Sequence, residues 1–201
     1  LPPMADPLMQ GIRRRFERHY LETFGHSKGT GLYSEHDWRR LDWMAAHLPR
    51  GGSILDVGVG PGAFLNYLTL CGLYDQAVGI DIRPYSKYFE VDVPLDRRIM
   101  SATDMDFADR SFDTVVCMEV LEHLERQDFE SAMGELKRVC AGRLFLTVPF
   151  EEPLPLPSYH KLRFLAQDIQ EVFPGGTLTL LRKGKAGTVP WMLVEIDCSQ
   201  V

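Results

Sequence analysis

The residues best suited to chemistry lie in positions 54–65, ILDVGVGPGAFL. Gly58, Gly60 and Gly62 follow a short apolar run and precede helix-forming residues, an order that predicts a strand, a tight turn and a helix. Glycine is needed where a turn requires positive φ or where a ligand touches the backbone. A helix that begins after such a turn directs free N–H groups and its positive dipole end at an anionic group. The run therefore predicts a site for a nucleotide-like cofactor.

Asp56, two residues before the first glycine, helps to decide between two cofactor classes. Gly58, Gly60 and Ala63 also fit the dinucleotide-binding pattern, which is a weak signal in isolation. A carboxylate at this place repels a pyrophosphate but accepts a hydrogen bond from an ammonium group. We therefore expect a ligand with an amino-acid end rather than a dinucleotide.

Asp81 closes the next apolar run and is the second acid at a predicted strand end. An acid at the tip of the second strand of such a sheet can accept hydrogen bonds from both hydroxyls of a ribose. The alternative is a surface Asp that has no ligand. Ile82, which follows it, is included in the predicted cofactor site.

The run from Asp56 to Gly62 reads D-x-G-x-G-x-G and resembles the first motif of class I S-adenosylmethionine-dependent methyltransferases. Residues 119–124, EVLEHL, are similar to a segment common in the branch of this family that acts on small molecules. The resemblance extends over roughly residues 50 to 175. It implies S-adenosyl-L-methionine as the cofactor. It also implies an α/β fold, a doubly wound, Rossmann-like and mostly parallel sheet of about seven strands with an antiparallel C-terminal hairpin.

The resemblance also implies which residues contact the adenine. Residues 102–107, ATDMDF, are similar to the second motif of the family, in which an acid at the position of Asp104 accepts from the adenine amino group. The backbone of its neighbour Met105 would then recognise the edge of the ring, and Asp106 is the competing acid. Glu119, after the fourth predicted strand, completes the predicted cofactor-binding set.

Two histidines are the predicted catalytic residues. His123 follows the fourth predicted strand, and His160 closes a proline-rich stretch, 149–160, after the fifth. Ligands in open α/β sheets bind outside the carboxyl ends of the strands, so we expect both histidines at one mouth. Either is suited to act as a general base for a hydroxyl or an activated carbon. Glu119 and Tyr159 are the next candidates for this role. The alternative is that each histidine is a hydrogen-bonded wall of the pocket.

The remaining pattern predicts one methyltransferase domain over residues 1–201. Strand and helix signals alternate over 50–197, which predicts the α/β cofactor-binding core. Two capped amphipathic helices within 6–48, joined by a glycine-rich linker, are predicted to form a helical lid over the cofactor. The predicted pocket walls in that segment are aromatic and histidine side chains, namely Tyr20, Tyr33, His36 and Trp38.

Composition restricts the function classes. The hydrophobic content of 45% and charged content of 25% are those of an ordinary soluble globular protein, and neither a signal peptide nor a membrane-spanning run is expected. The net charge of −6 argues against a nucleic-acid partner that needs a broad basic surface. Four widely spaced cysteines without a C-x-x-C pair predict reduced thiols, no metal site and a cytoplasmic location.

The leading hypothesis is methyl transfer from S-adenosylmethionine to a small molecule, with an oxygen, nitrogen or carbon acceptor left open. A nicotinamide-dependent dehydrogenase shares the glycine pattern but leaves Asp56, Asp104 and residues 119–124 unexplained. A nucleic-acid methyltransferase uses the same cofactor, but residues 117–120, CMEV, lack the [DN]-P-P-[FYW] pattern of enzymes that methylate base amines. A non-catalytic cofactor-binding protein is the third alternative.

Overall fold

A computed structural model gives the structure of the chain and describes residues 7–24, 35–182 and 188–199. Its elements are, in chain order, α1 (Pro7–Phe24), α2 (Glu35–His47), β1 (Ser53–Val57), α3 (Ala63–Leu70), β2 (Gln76–Asp81), β3 (Asp96–Ile99), β4 (Phe112–Met118), a 3-10 turn (Leu121–His123), α4 (Arg126–Val139), β5 (Cys140–Pro149), α5 (Ile169–Val172), β6 (Thr177–Leu181) and β7 (Trp191–Asp197). Within these ranges, no helix has the length and apolar character needed to cross a membrane.

The described strands form one seven-stranded sheet in the order β3-β2-β1-β4-β5-β7-β6. Neighbouring strands from β3 to β5 are parallel, whereas β7 is antiparallel to both β5 and β6. The chain order reverses between β1 and β4, and this is where open α/β sheets leave a crevice for ligands. The predicted doubly wound fold with an antiparallel C-terminal hairpin is confirmed.

Side chains alternate along the strands between two apolar layers. Ile54 of β1 packs in one layer with α1, α2 and α3, and Leu55 packs in the other with α4 and α5. Because successive strand residues point to opposite faces, Asp56 faces the same layer as Ile54, the one that α2 covers. The fold therefore places the acid of the glycine motif beneath the N-terminal helices.

The two N-terminal helices contribute to the core. Ile12 and Phe16 of α1 and Leu41 of α2 are buried, and the Phe16 ring stacks on Phe89 with centroids 5.8 Å apart. Both helices thus bury an apolar face, as predicted for amphipathic helices, as far as their side chains are described. Tyr33 lies outside the described residues, as do the side chains of Tyr20, His36 and Trp38. That residues 6–48 move as a lid stays a prediction.

Two element boundaries have no clear signal in the sequence. All four residues of β3 (Asp96–Ile99) are exposed, so they give no apolar alternation that would locate this strand. Helix α4 ends at Val139, and Gly142 lies inside β5. A Cβ atom at Gly142 would lie 2.5 Å from the backbone oxygen of Asp113. This glycine therefore allows β5 to approach β4 rather than ending a helix.

We expect Gly142→Ala to lower the free energy of unfolding by about 1–3 kcal/mol, because the added methyl group meets backbone atoms that cannot rotate away. Gly134→Ala is the matched control, since it adds the same methyl group in α4 where no atom lies within 4 Å. The control should raise stability by roughly 1 kcal/mol, the difference in helix propensity. Urea unfolding of both variants is the measurement, and equal effects would contradict the close-approach account.

Candidate active site

A cleft of about 230 Å³ opens where β1, β2, β3 and β4 end. Residues that directly follow or close these strands line it, so that Gly58, Asp81, Met100 and Glu119 all contribute to one wall. The remaining lining includes Val57, Gly60, Ile80, Ile82, Arg83, Tyr85, Ser101, Ala102, Thr103, Val120, His123 and Leu124. The structure therefore brings the glycine motif, the second acid and one predicted catalytic histidine to the same cleft.

The three glycines of the loop have different roles. All have positive φ, of 77°, 56° and 87° at Gly58, Gly60 and Gly62. A Cβ atom at Gly58 would overlap Val120, and one at Gly62 would overlap Leu95, so both glycines permit close packing within the protein. At Gly60 the nearest atom to such a Cβ would be 3.9 Å away, so the position opens onto the cleft. Gly62 does not line the cleft but precedes α3 as its N-cap.

Asp81 holds the glycine loop as well as facing the cleft. The backbone N–H of Gly60 donates to Asp81 Oδ2 at 2.9 Å, and that of Arg83 donates to Oδ1 at 3.0 Å. Ile82 beside it is 67% exposed and lines the cleft. An exposed apolar side chain beside a carboxylate in a cleft can pack against the face of a flat ring.

Asp56 lies beneath the loop and is only 3% exposed. Burial is the main cause that raises the pKa of this carboxyl to about 7, and the negative charge of Asp81 raises it further. Arg40 on α2 acts in the opposite direction but does not cancel the first two effects. A cationic ligand group at the loop would favour the ionised form of Asp56.

The structure does not bring the predicted adenine-binding pair to the cleft. Asp104 is exposed and outside the lining, while Met105 is buried and its N–H donates to Glu135 Oε2 at 2.7 Å. The residues that line the cleft there are 101–103, in a turn closed by a bridge between Ser101 and Asp104. Adenine recognition by Asp104 and Met105 stays a prediction, with residues 101–103 better placed.

Glu119 has a strained backbone that several contacts hold in place. Its φ is 54°, a left-handed value that is uncommon outside glycine. Thr147 Oγ1 donates to Glu119 Oε1 and Trp191 Nε1 donates to Oε2, both at 3.0 Å. Arg40 forms an ion pair with the same carboxylate at 3.4 Å. Glu119 lines the cleft as predicted, with its carboxylate already engaged by protein groups.

The two predicted catalytic histidines lie together, with ring centroids 5.1 Å apart. His123 lines the cleft, and His160 lies beside it. Their elements are joined by the backbone carbonyl of Glu122, which accepts from the N–H groups of Lys161 and Leu162 at 2.7 and 3.1 Å. The convergence expected from the ends of the fourth and fifth strands is therefore present.

Comparison with known proteins gives the family. The family model described as "Methyltransferase domain" matches residues 55–145, which contain the glycine loop, both strand-end acids and the 3-10 turn. Residues 55–145 of this chain belong to the class I S-adenosylmethionine-dependent methyltransferase family. The family and cofactor class predicted from the motifs are confirmed.

Curated relatives of this methyltransferase include enzymes named for oxygen and for nitrogen acceptors. It is 36% identical over 122 residues to the ubiquinone biosynthesis O-methyltransferase of Xanthomonas axonopodis pv. citri (strain 306), covering 54% of this chain and 48% of the relative. It is 33% identical over 144 residues to the phosphatidylethanolamine N-methyltransferase of Cereibacter sphaeroides, covering 66% and 64%. The chain thus spans about half the length of the first of these relatives.

Solved structures share the fold of this methyltransferase at low sequence identity. The 1,6-didemethyltoxoflavin-N1-methyltransferase of Burkholderia thailandensis, crystallised with 1,6-didemethyltoxoflavin and S-adenosylhomocysteine, has a TM-score of 0.67 at 15% identity, covering 98% of this chain and 92% of that one. The magnesium protoporphyrin IX methyltransferase of Synechocystis PCC 6803, crystallised with S-adenosylhomocysteine, has a TM-score of 0.63 at 16% identity, covering 94% and 98%. These similarities show the fold alone.

Two site residues of the methyltransferase were missed by sequence reasoning. Glu122 is 1% exposed, and burial, followed by the charge of Glu119, raises the pKa of its carboxyl well above the usual range. Glu152 is also buried, and its Oε2 accepts from His160 Nδ1 at 2.7 Å. Glu122 stands in the EVLEHL segment, which was the available signal, whereas Glu152 stands in the proline-rich stretch without any pattern that marks it as buried.

The raised pKa of Asp56 predicts a pH dependence of stability. The unfolded pKa is 3.8 and the folded one about 7, so the folded state binds more protons between these values. Stability contributed by protonated Asp56 is therefore lost as the pH rises from about 4 to about 7, by up to about 1.4 kcal/mol per pH unit. Asp56→Asn should reduce this decline in urea unfolding, whereas Asp106→Asn at an exposed position should not. A decline of the same slope in Asp56→Asn would contradict this assignment.

Proposed function

We propose that this methyltransferase transfers a methyl group from S-adenosylmethionine to a hydroxyl group of a small molecule. The observation that carries the proposal is the convergence of Gly60, Asp81 and His123 on one cleft. The first two residues are of the types that bind a nucleoside with an amino-acid end. The third belongs to a cluster of two acids and two histidines, Glu122, His123, Glu152 and His160, whose side of the cleft we call the acceptor side. A dinucleotide cofactor fits less well, because its negatively charged pyrophosphate would be repelled by two carboxylates. These are Asp56 and Asp81, which lie close enough for the charge of Asp81 to raise the pKa of Asp56.

The residues of the cleft, together with the buried Asp56 beneath the glycine loop, fit three parts of S-adenosylmethionine. Asp56 would stabilise the ammonium group, Asp81 would accept from the ribose hydroxyls, and Ile82 would contact the base. Residues 101–103 would contact the ring edge in the turn that lines the cleft. When bound, the cofactor supplies an electrophilic methyl group on a sulfonium sulfur. The main task of the protein is then to align the acceptor atom with that methyl group.

The opening of Gly60 onto the cleft gives a direct test of cofactor placement. We expect Gly60→Val to abolish measurable binding of S-adenosylhomocysteine in isothermal titration calorimetry, because the side chain would fill the space of the ligand. Gly51→Val is the matched control. Gly51 also has a positive φ, of 82°, and no atom would lie within 4 Å of its Cβ, but it does not line the cleft.

Backbone strain alone would affect both variants similarly, whereas a steric block affects only Gly60→Val. The control should therefore bind S-adenosylhomocysteine with nearly the affinity of the unaltered chain. Unchanged affinity in folded Gly60→Val would place the cofactor elsewhere and contradict the proposal.

The acceptor side of the cleft supports an oxygen nucleophile. A free amine or a carboxylate needs no base, whereas a hydroxyl group does. His160 Nδ1 is paired with the buried carboxylate of Glu152 at 2.7 Å, an arrangement that fixes the ring and leaves Nε2 to interact with another group. In the transfer, the acceptor oxygen bonds to the methyl carbon while the carbon–sulfur bond breaks, and the hydroxyl proton leaves to the protein or solvent. The O-methyltransferase name of the first relatives agrees with this choice.

We predict that His123→Ala and His160→Ala reduce kcat while leaving the affinity for S-adenosylhomocysteine nearly unchanged. Removal of a group that activates the acceptor hydroxyl should lower kcat by roughly 10²- to 10⁴-fold. His47→Ala, an exposed histidine in the last turn of α2, is the control and should retain activity. The measurement is release of S-adenosylhomocysteine with an acceptor found in a screen of hydroxylated metabolites. If kcat falls only a few-fold in both cluster variants, the two histidines are walls of the pocket.

A further inference from the structure

We infer that Glu122, His123 and His160 form a binding site for a divalent metal ion on the acceptor side of the cleft. The role of this site in catalysis rests on the proposed function, but its existence does not. One ligand atom from each residue lies within 4.8 Å of the other two. The expectation of no metal site came from cysteine spacing, which carries no information about this cluster.

The carboxylate of Glu122 is the observation that indicates a bound cation. Glu122 is 1% exposed, and its Oε2 has no hydrogen-bond partner among the described residues. A buried carboxylate oxygen without a partner has a large desolvation cost, which a cation at the site would offset. The other oxygen, Oε1, lies 3.9 Å from His123 Nε2, close enough for both atoms to share one ion after a small movement.

Both imidazole rings are oriented as metal ligands usually are. His123 Nδ1 lies 3.0 Å from the backbone oxygen of Tyr159, which can only accept, so Nδ1 carries the proton. His160 Nδ1 lies 2.7 Å from Glu152 Oε2, which fixes the same tautomer. Each ring thus keeps the lone pair of Nε2 for another partner. Hydrogen bonds from the second ring nitrogen to a carbonyl or carboxylate are the usual support of ligating histidines.

The donor set suits a first-row divalent cation such as Zn²⁺, Co²⁺ or Mn²⁺, because two imidazole nitrogens and one carboxylate oxygen are common ligands of these ions. Ligand atoms in such sites lie about 2 Å from the ion and therefore about 3–3.5 Å from one another. The cluster would have to contract slightly. The side chain of His123 is 41% exposed and that of His160 only 11%, so the His123 ring is the one expected to move inward.

Three protein ligands leave coordination positions open for a substrate, as catalytic metal sites do. Because His123 also lines the cleft that holds the glycine loop, an open position would face the cofactor. An acceptor hydroxyl bound there would have a lowered pKa and would lose its proton to solvent. Its oxygen would then form the bond to the methyl carbon as the carbon–sulfur bond breaks. The histidines would act as ligands instead of removing the proton themselves.

The test is direct metal binding to the full chain after treatment with EDTA and removal of the chelator. We expect calorimetric titration with Zn²⁺ to give one site per chain, and Co²⁺ to develop visible absorption that reports nitrogen and oxygen ligands. His123→Ala, His160→Ala and Glu122→Gln should each weaken binding more than about tenfold, and Glu152→Gln, which only positions His160, by about 10- to 100-fold. His47→Ala should leave the affinity unchanged.

The inference is overturned if the stripped chain binds neither ion, or if His123→Ala and His160→Ala bind them as the unaltered chain does. The exposure of His123 makes loss of folding in His123→Ala unexpected, so this variant is decisive even if Glu122→Gln does not fold. Titration with S-adenosylhomocysteine in the same samples separates the two proposals. Cofactor binding without metal binding would refute the metal site alone, and metal binding without cofactor binding would refute the proposed function alone.

Discussion

The site depends on the backbone turn at Glu119, where β4 ends and the chain enters the cleft. A left-handed conformation at a residue with a side chain costs on the order of 1–3 kcal/mol and persists only where its surroundings enforce it. Thr147 of β5 and Trp191 of β7 donate hydrogen bonds to the carboxylate, so two neighbouring strands fix the turn. The turn places Val120 against Gly58, where any larger residue than glycine would overlap it. The turn that leads to His123 is thereby packed directly against the glycine loop.

The charges of the cleft agree with a cofactor that is positive at its reactive end. Asp56, next to the last residue of β1, and Asp81, the last residue of β2, lie on neighbouring parallel strands, and their proximity contributes to the raised pKa of Asp56. A ligand with ammonium and sulfonium groups would reduce this repulsion, whereas a pyrophosphate would add to it. Arg40 supplies the nearby positive charge, since it influences Asp56 and pairs with Glu119. Electrostatics therefore favours the same cofactor class as the motif does.

The cofactor half of the site was more predictable than the acceptor half because its determinants are local. Positive φ at Gly60 and an acid at the end of β2 are properties of short segments, and both can be recognised in the sequence. The placement of Asp104 depends on a bridge within its turn and on the hydrogen bond that the N–H of Met105 donates to Glu135 of α4, and residue spacing reports neither. The contact between Glu152 and His160 depends on how a proline-rich loop closes. The fold class was predictable because alternating strand and helix signals leave few arrangements.

Residues 149–164, which contain the proline-rich stretch, hold Glu152 against His160 through contacts near their two ends. The ends of this loop are joined by a bridge between Phe150 and Phe164, and Arg163 Nε donates to the backbone oxygen of Glu152. Prolines between these ends limit the freedom of the unfolded chain, so the closed loop costs less entropy to form. Leu154 at the tip is exposed, whereas Glu152 near the base is buried. Substitutions at Leu154 should therefore leave the contact between Glu152 and His160 in place.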